Sequence, residues 1–221
     1  MNIKISPSIL SADFACLGSE CRRVCESGSD LIHIDVMDGN FVPNITIGAP
    51  VVRSIKPYSE IPLDVHLMID RPERYIDDFI AGGAGIVTVH AEATDKLDFI
   101  IGRLHEKGVR ASVSVKPGTS VETVYPYLKN LDMVLIMTVE PGFGGQKLIE
   151  STLPKISALR QKCADEGVNL DIEVDGGITP ENIEHVSKAG ANVFVAGSAV
   201  FKAQDMRSAV SALRDGAIRG L

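Results

Sequence analysis

A chain of 221 residues with 45% hydrophobic residues can bury one complete α/β core, and it is too apolar for an intrinsically disordered segment. Its formal net charge of −7 sets it against phosphate-coated polymers, which excludes nucleic acid as a general partner and leaves anion binding to a local site. Of the four cysteines, Cys16, Cys21 and Cys25 crowd one predicted helix and none forms a Cys-x-x-Cys pair with another or with Cys163, a pattern that suits a reducing, cytoplasmic setting.

The opening Met1-Asn2-Ile3-Lys4-Ile5-Ser6-Pro7 has no long apolar core, and no later run nears the roughly 18 apolar residues a membrane span needs. A soluble, unprocessed chain is expected. The first strand is predicted over residues 5–10, and Asp13 reads as the N-cap of the helix beyond Ser11-Ala12. A second strand, 31–37, places His33, Asp35 and Met37 on one face, because side chains alternate with period two. The third, 61–68, repeats the arrangement with Asp64, His66 and Met68, and residues 72–80 then take helical spacing.

Further strands are predicted over 86–90, 111–115, 133–139, 170–174 and 193–196, with a helix over 153–166. Glycine punctuates the ends of the intervening helices at Gly28, the Gly82-Gly83-Ala84-Gly85 group, Gly108, Gly167 and Gly190. Eight βα units predict a single-domain (β/α)8 TIM barrel over residues 1–221, since a doubly wound sheet uses fewer strands and reverses their order.

In such a barrel the chemistry lies at the C-terminal ends of the strands. His33, Asp35 and His66 stand near two of those ends, and Asp175 follows the seventh strand; together they can converge on one divalent ion. Each alone could be an ordinary hydrogen-bonded strand end, but four ligand-type groups fit that reading poorly. Mixed nitrogen and oxygen ligation suits Zn without excluding Fe, Mn or Co. Asp64 reads as a carboxylate that orients a ligating histidine, and His90 as structural. His105 and His185 fall in helical stretches and receive no role.

Glu140-Pro141-Gly142-Phe143-Gly144-Gly145-Gln146 follows the sixth strand and lets backbone N–H groups approach an anion. Gly176-Gly177 and Gly197-Ser198 follow strands seven and eight, where barrels commonly hold phosphate. No nucleotide-binding glycine pattern accompanies them, so a small phosphate ester is the expected ligand.

Five segments, namely Ser6-Pro7-Ser8-Ile9-Leu10-Ser11-Ala12-Asp13-Phe14, His33-Ile34-Asp35-Val36-Met37-Asp38-Gly39, Asp64-Val65-His66-Leu67-Met68, Pro141-Gly142-Phe143-Gly144-Gly145-Gln146 and Glu173-Val174-Asp175-Gly176-Gly177, resemble the ribulose-phosphate 3-epimerase family nearly end to end. The resemblance implies interconversion of D-ribulose 5-phosphate and D-xylulose 5-phosphate at C3, in the pentose phosphate pathway, by metal-assisted two-base proton transfer through a 2,3-enediolate. It makes His33, Asp35, His66 and Asp175 the ligands of one divalent ion, with Asp35 and Asp175 also the proton-transfer groups. Ser8 and His66 would contact the sugar, and Gly142, Phe143, Gly144, Gly145, Gly176, Gly177, Gly197 and Ser198 would receive the phosphate end. Met37, Met68 and Met137 would line the reactive carbon, and a homo-oligomer is the expected assembly.

Two positions depart from the family's commonest pattern, which often has asparagine at Glu140 and at Lys116. Glu140 beside a phosphate must point away or find a cation such as Lys147. Three other readings stand beside the pentose epimerase. One is an epimerase for a hexulose phosphate such as allulose 6-phosphate, against which Gly144 and Gly177 argue. The others are a silent sugar-phosphate-binding barrel, and a metal-free isomerase that leaves the paired histidines unexplained.

Overall fold

A computed structural model describes residues 1–221. Its eight strands are β1 (Lys4–Pro7), β2 (Ile32–Met37), β3 (Leu63–Met68), β4 (Ile86–His90), β5 (Arg110–Val115), β6 (Met133–Met137), β7 (Asp171–Asp175) and β8 (Val193–Ala196). All pair in parallel in the order β1-β8-β7-β6-β5-β4-β3-β2. The remaining seam, between β1 and β2, is bridged at Ser8 and His33, which makes the sheet a nearly closed barrel. Asp30 ties the other end of that seam, donating its amide to Ile5 O (3.0 Å) and accepting the Ile5 amide on its carboxylate (2.8 Å).

The helices that cover the barrel are α1 (Leu17–Glu26), α2 (Ala49–Ile55), α3 (Ile76–Ala81), α4 (Leu97–Glu106), α5 (Leu153–Glu166), α6 (Ile183–Lys188), α7 (Ser198–Phe201) and α8 (Met206–Arg219). The fifth unit differs: its cover is a 3-10 helix, Val121–Asn130, with Pro126 inside it. Proline supplies no N–H and crowds the preceding turn, so a regular α-helix is disfavoured there.

The first strand is shorter than its apolar run, because Ser8 Oγ accepts the Leu10 amide (3.3 Å) and turns residues Ile9–Ser11 into a 3-10 helix. Strand β6 likewise stops at Met137, and β7 runs one residue further than expected, to Asp175. Pro72–Arg74 forms a 3-10 turn ahead of α3. Asp13 caps the turn Phe14–Cys16, so Cys16 precedes α1 and only Cys21 and Cys25 lie on it; all four thiols are free.

Every residue of β2, β3, β4 and β6 is buried, as expected for strands with helices on one side and the barrel interior on the other. Ile32, Ile34 and Val36 join the large core between sheet and helices. The alternate residues point inward. At the N-terminal end of the barrel Leu31, Ile86, Met133 and Val193, one from each even-numbered unit, form an apolar floor. Above it the interior is polar: Ser6, His33, Asp64, Thr88, Ser112 and Glu173 are all buried. Burying polar groups costs free energy unless they find partners, which marks this end of the barrel for chemistry.

Candidate active site and metal centre

Paired neighbours in β2 and β3 bring the ligand-type residues together, since His33 stands beside Asp64 and Asp35 beside His66 in the register. Asp175, at the end of β7, completes the group from across the barrel. One donor atom from each of His33, Asp35, His66 and Asp175 lies within 4.8 Å of every other. His33 Nε2 is 3.4 Å from Asp35 Oδ1 and 3.9 Å from Asp175 Oδ2, while His66 Nδ1 is 3.5 Å and 3.7 Å from the same two atoms. Ligands about 2.1 Å from a tetrahedral ion sit roughly 3.4 Å apart, so this spacing suits one shared cation.

The two inward-facing ring nitrogens, His33 Nε2 and His66 Nδ1, are buried and make no hydrogen bond within the protein. Two partnerless imidazole nitrogens facing two carboxylates fit a divalent ion, and the cluster can hold one. The opposite nitrogens are engaged. His33 Nδ1 meets Asp64 Oδ2 at 2.7 Å, the orienting contact expected of Asp64, and Ser6 Oγ donates to the same carboxylate oxygen (3.2 Å). His66 Nε2 meets His90 Nε2 at 2.9 Å, so His90 is attached to the cluster.

Burial and neighbouring charge pull the carboxyls apart. For Asp35, burial works against the charged form, but the His33 charge and the close approach of both imidazoles prevail and hold it well below the usual carboxylate range. Asp175 is pushed up to about 6, first by burial and then by the Asp35 charge. His33 is raised well above its ordinary value, because Asp35 and Asp64 outweigh its burial. Glu173, fully buried, is raised well above its ordinary value by burial and by the Asp64 charge. Sequence reasoning passed over Glu173, although it lies two residues before Asp175 and alternation puts both on the inner face.

A cavity of about 500 Å³ opens above the cluster. Asp35, Asp175, Ser8, Met37, Met68 and Met137 border it, whereas His33 and His66 lie fully buried and do not. His66 thus presents no accessible surface for a sugar. Ser8 Oγ donates to Asp35 Oδ2 at 2.5 Å, fixing that carboxylate from the β1 side of the seam. Leu10, Val139, Leu148 and Ile178 add apolar wall that sequence reasoning did not single out.

The glycine loops form the outer wall: Gly142, Phe143, Gly144, Gly145, Gly176, Gly177, Gly197 and Ser198 all border the cavity. The loop after β6 is held by Gln146, whose amide donates to Glu140 O (2.7 Å) and Phe143 O (2.9 Å), and by Asn44, which donates to Gly142 O (2.9 Å). Gly177 has φ +68°, and a Cβ there would lie 2.3 Å from Leu148 N, so a side chain would displace the loop. Glu140 is exposed and does not border the cavity, while Lys147 does. The acidic departure therefore points away. His105 and His185 are solvent-exposed, paired with Asp132 and Glu150, and neither histidine borders the cavity or belongs to the cluster.

The model of the ribulose-phosphate 3 epimerase family matches residues 4–201. The chain belongs to this family. It is 52% identical over 213 residues to ribulose-phosphate 3-epimerase of Bacillus subtilis (strain 168), covering 96% of this chain and 98% of that one. Against the chloroplastic ribulose-5-phosphate-3-epimerase of Arabidopsis thaliana the identity is 52% over 215 residues, covering 96% of this chain and 76% of that protein. Among solved structures, KGPDC from Streptococcus mutans superposes with a TM-score of 0.73 at 13% identity, covering 99% of each chain. A 3-hexulose-6-phosphate synthase gives 0.67 at 20% identity, covering 97% of this chain and 99% of that one. At those identities the structural likeness speaks to the barrel fold alone. No helix of this ribulose-phosphate 3-epimerase family member is long and apolar enough to cross a membrane.

Proposed function

We propose that this chain interconverts D-ribulose 5-phosphate and D-xylulose 5-phosphate by inverting C3 with two carboxyl groups. The observation that carries the reading is the pair Asp35 and Asp175. They border one cavity from different strands, β2 and β7, which divides the two carboxyls between two sides of a bound sugar. Inversion next to a ketone needs that division, because one group must remove a proton from one face while the other returns a proton to the opposite face.

His33, Asp35, His66 and Asp175 would hold a divalent ion, zinc by the mixed nitrogen and oxygen donors, with Fe, Mn or Co as alternatives. Bound there, such an ion supplies Lewis-acid stabilisation of the oxyanion charge that develops on the substrate. The protein's own groups do the rest. Asp35 and Asp175 move the proton at C3 through a 2,3-enediolate. Ser8 Oγ, already donating to Asp35, orients that carboxylate and lies at the wall where a sugar hydroxyl would pass. Met37, Met68 and Met137 line the floor with thioether groups that exclude water from the reacting carbon without offering a competing proton.

The phosphate end would lie against Gly142–Gly145, Gly176, Gly177, Gly197 and Ser198, where backbone approaches the cavity without intervening side chains. This reading places the chain in the pentose phosphate pathway, in the cytoplasm and as a homo-oligomer, with a small phosphorylated ketopentose as its partner. The test is conversion of D-ribulose 5-phosphate by the purified protein before and after chelation, with single metals restored. Conversion lost on chelation and regained with a divalent ion is expected. A folded protein inactive with every metal would overturn the assignment.

A further inference from the structure

We propose that His90 and Glu92 are positioning residues that fix the hydrogen of His66, and so determine which of its nitrogens faces the metal site. The inference rests on the reading of His66 as a ligand and adds to it the groups that set its tautomer.

Counting hydrogens gives the direction of the chain. His66 Nε2 and His90 Nε2 are 2.9 Å apart, and two ring nitrogens at that separation share a single hydrogen. A neutral His66 that offers its Nδ1 lone pair to a cation must keep its hydrogen on Nε2. His90 Nε2 then accepts, and the hydrogen of His90 must sit on Nδ1, which is 3.2 Å from Glu92 Oε2. The other Glu92 oxygen accepts the Lys116 amide at 2.8 Å. Each donor points outward from His66 and the chain ends on a carboxylate, which can only accept and so fixes the direction of both hydrogens.

The surroundings hold the arrangement. His90 is fully buried, so water does not compete for its Nε2. The His66 and His90 rings meet edge to edge, their centres 5.0 Å apart and their planes 26° from parallel. Phe41 packs on His90 with ring centres 4.8 Å apart, and the Lys116 ammonium lies 3.7 Å from the centre of the Phe41 ring. Lys155, from α5, donates to the Lys116, Pro117 and Thr119 carbonyls and so holds the loop whose amide anchors Glu92. The two histidine ligands are therefore served differently: His33 meets a buried carboxylate directly, whereas His66 reaches one through a neutral ring. Partners of this kind commonly change metal affinity 10- to 100-fold.

The test reads zinc binding to the full chain by competition with a chromophoric chelator. His90→Leu, which removes the acceptor, is expected to weaken zinc binding about 10- to 100-fold, and His90→Gln, which returns an amide oxygen, to recover most of it. Glu92→Gln, which removes the charge at the end of the chain but keeps one oxygen to accept, is expected to weaken zinc binding several-fold in a protein that remains folded by circular dichroism. Nitrogen-15 NMR of the zinc-loaded wild type should show the His66 hydrogen on Nε2. A hydrogen found on Nδ1 overturns the inference, as do folded Leu and Gln variants that bind zinc alike. Wild-type protein that binds no zinc would instead overturn the ligand reading beneath it.

Discussion

His33 Nδ1 lies 2.7 Å from Asp64 Oδ2, and both side chains are completely buried inside the barrel. The contact leaves Nε2 as the nitrogen that faces the cavity-side carboxylates. Replacing the acceptor with Asp64→Asn removes the charge that holds the His33 hydrogen in place, and zinc affinity is expected to fall about 10- to 100-fold. Chelator competition on the purified variant measures this; an unchanged affinity would detach Asp64 from the metal centre.

Asp175 gives a stability effect opposite to its effect on activity. Its folded-state pKa is raised to about 6, so the folded chain favours the neutral acid. That stability is complete below the ordinary carboxylate value and is lost as pH rises through about 6. Asp175→Asn keeps the neutral shape at every pH. The metal-free variant should be more stable than metal-free wild type at pH 8, by an amount on the order of 3 kcal/mol, and the gain should fade toward pH 4. Turnover should be abolished. Urea midpoints of chelated protein across that range decide the matter, and a gain that does not vary with pH would contradict the sign.

Zinc binding should release protons. In the metal-free chain His33 is raised well above its ordinary value by Asp35 and Asp64, so near neutrality a cation must displace a proton from that ring. Apparent affinity is expected to decrease as pH falls, and titration in weakly buffered solution should register at least one proton released for each ion bound. A titration that releases none would mean that His33 carries no proton when the site fills.

Glu173, buried and raised well above its ordinary carboxylate value, should tolerate an amide. Glu173→Gln preserves shape and needs no proton on folding, so near neutrality it is expected to match or exceed wild-type stability, with any gain fading toward pH 4. Glu173→Ala leaves a void beside Asp64 and should cost about 2 to 4 kcal/mol. Denaturant unfolding compares them. Equal losses would show that Glu173 contributes through its proton rather than its volume.

Gly177 supports the wall of the cavity by having no side chain. With φ +68° and Leu148 N at 2.3 Å from a built Cβ, Gly177→Ala should destabilise the chain by about 1 to 3 kcal/mol and displace Leu148. On the proposed function it should raise KM for the pentose phosphate more than it lowers kcat. Steady-state kinetics at saturating metal would show the reverse split if the loop acted on the chemical step.

The barrel and most of its centre were legible because both follow from alternation. His33 with Asp35, and Asp64 with His66, lie two positions apart, so alternation puts each pair on one face, and the register sets His33 beside Asp64 and Asp35 beside His66. The start of the chain was misread because apolar content continues through Ile9 and Leu10 while the backbone turns on the hydroxyl of Ser8. His90 was treated as structural because its relation to His66 depends on how β3 and β4 bring two rings edge to edge, and no spacing within one strand encodes that. Glu173 was visible in the same alternation that exposed Asp175, but a lone acid inside a barrel means little until its neighbours are known.

The seam between β1 and β2 has a consequence for the order in which the molecule can become whole. The strand made first, β1, takes its ladder partner from β8, the strand made last, with Lys4 beside Val193 and Pro7 beside Ala196. Ser8, at the end of β1, meets His33 across the seam and holds Asp35. A nascent chain still lacking β8 leaves β1 held by its contacts at Asp30 and His33 without a ladder, so the hydroxyl that meets Asp35 is less firmly placed. Ring closure therefore waits for the last strand, and the centre gains its final support, the Ser8 hydroxyl on Asp35, as the two ends of the chain come together.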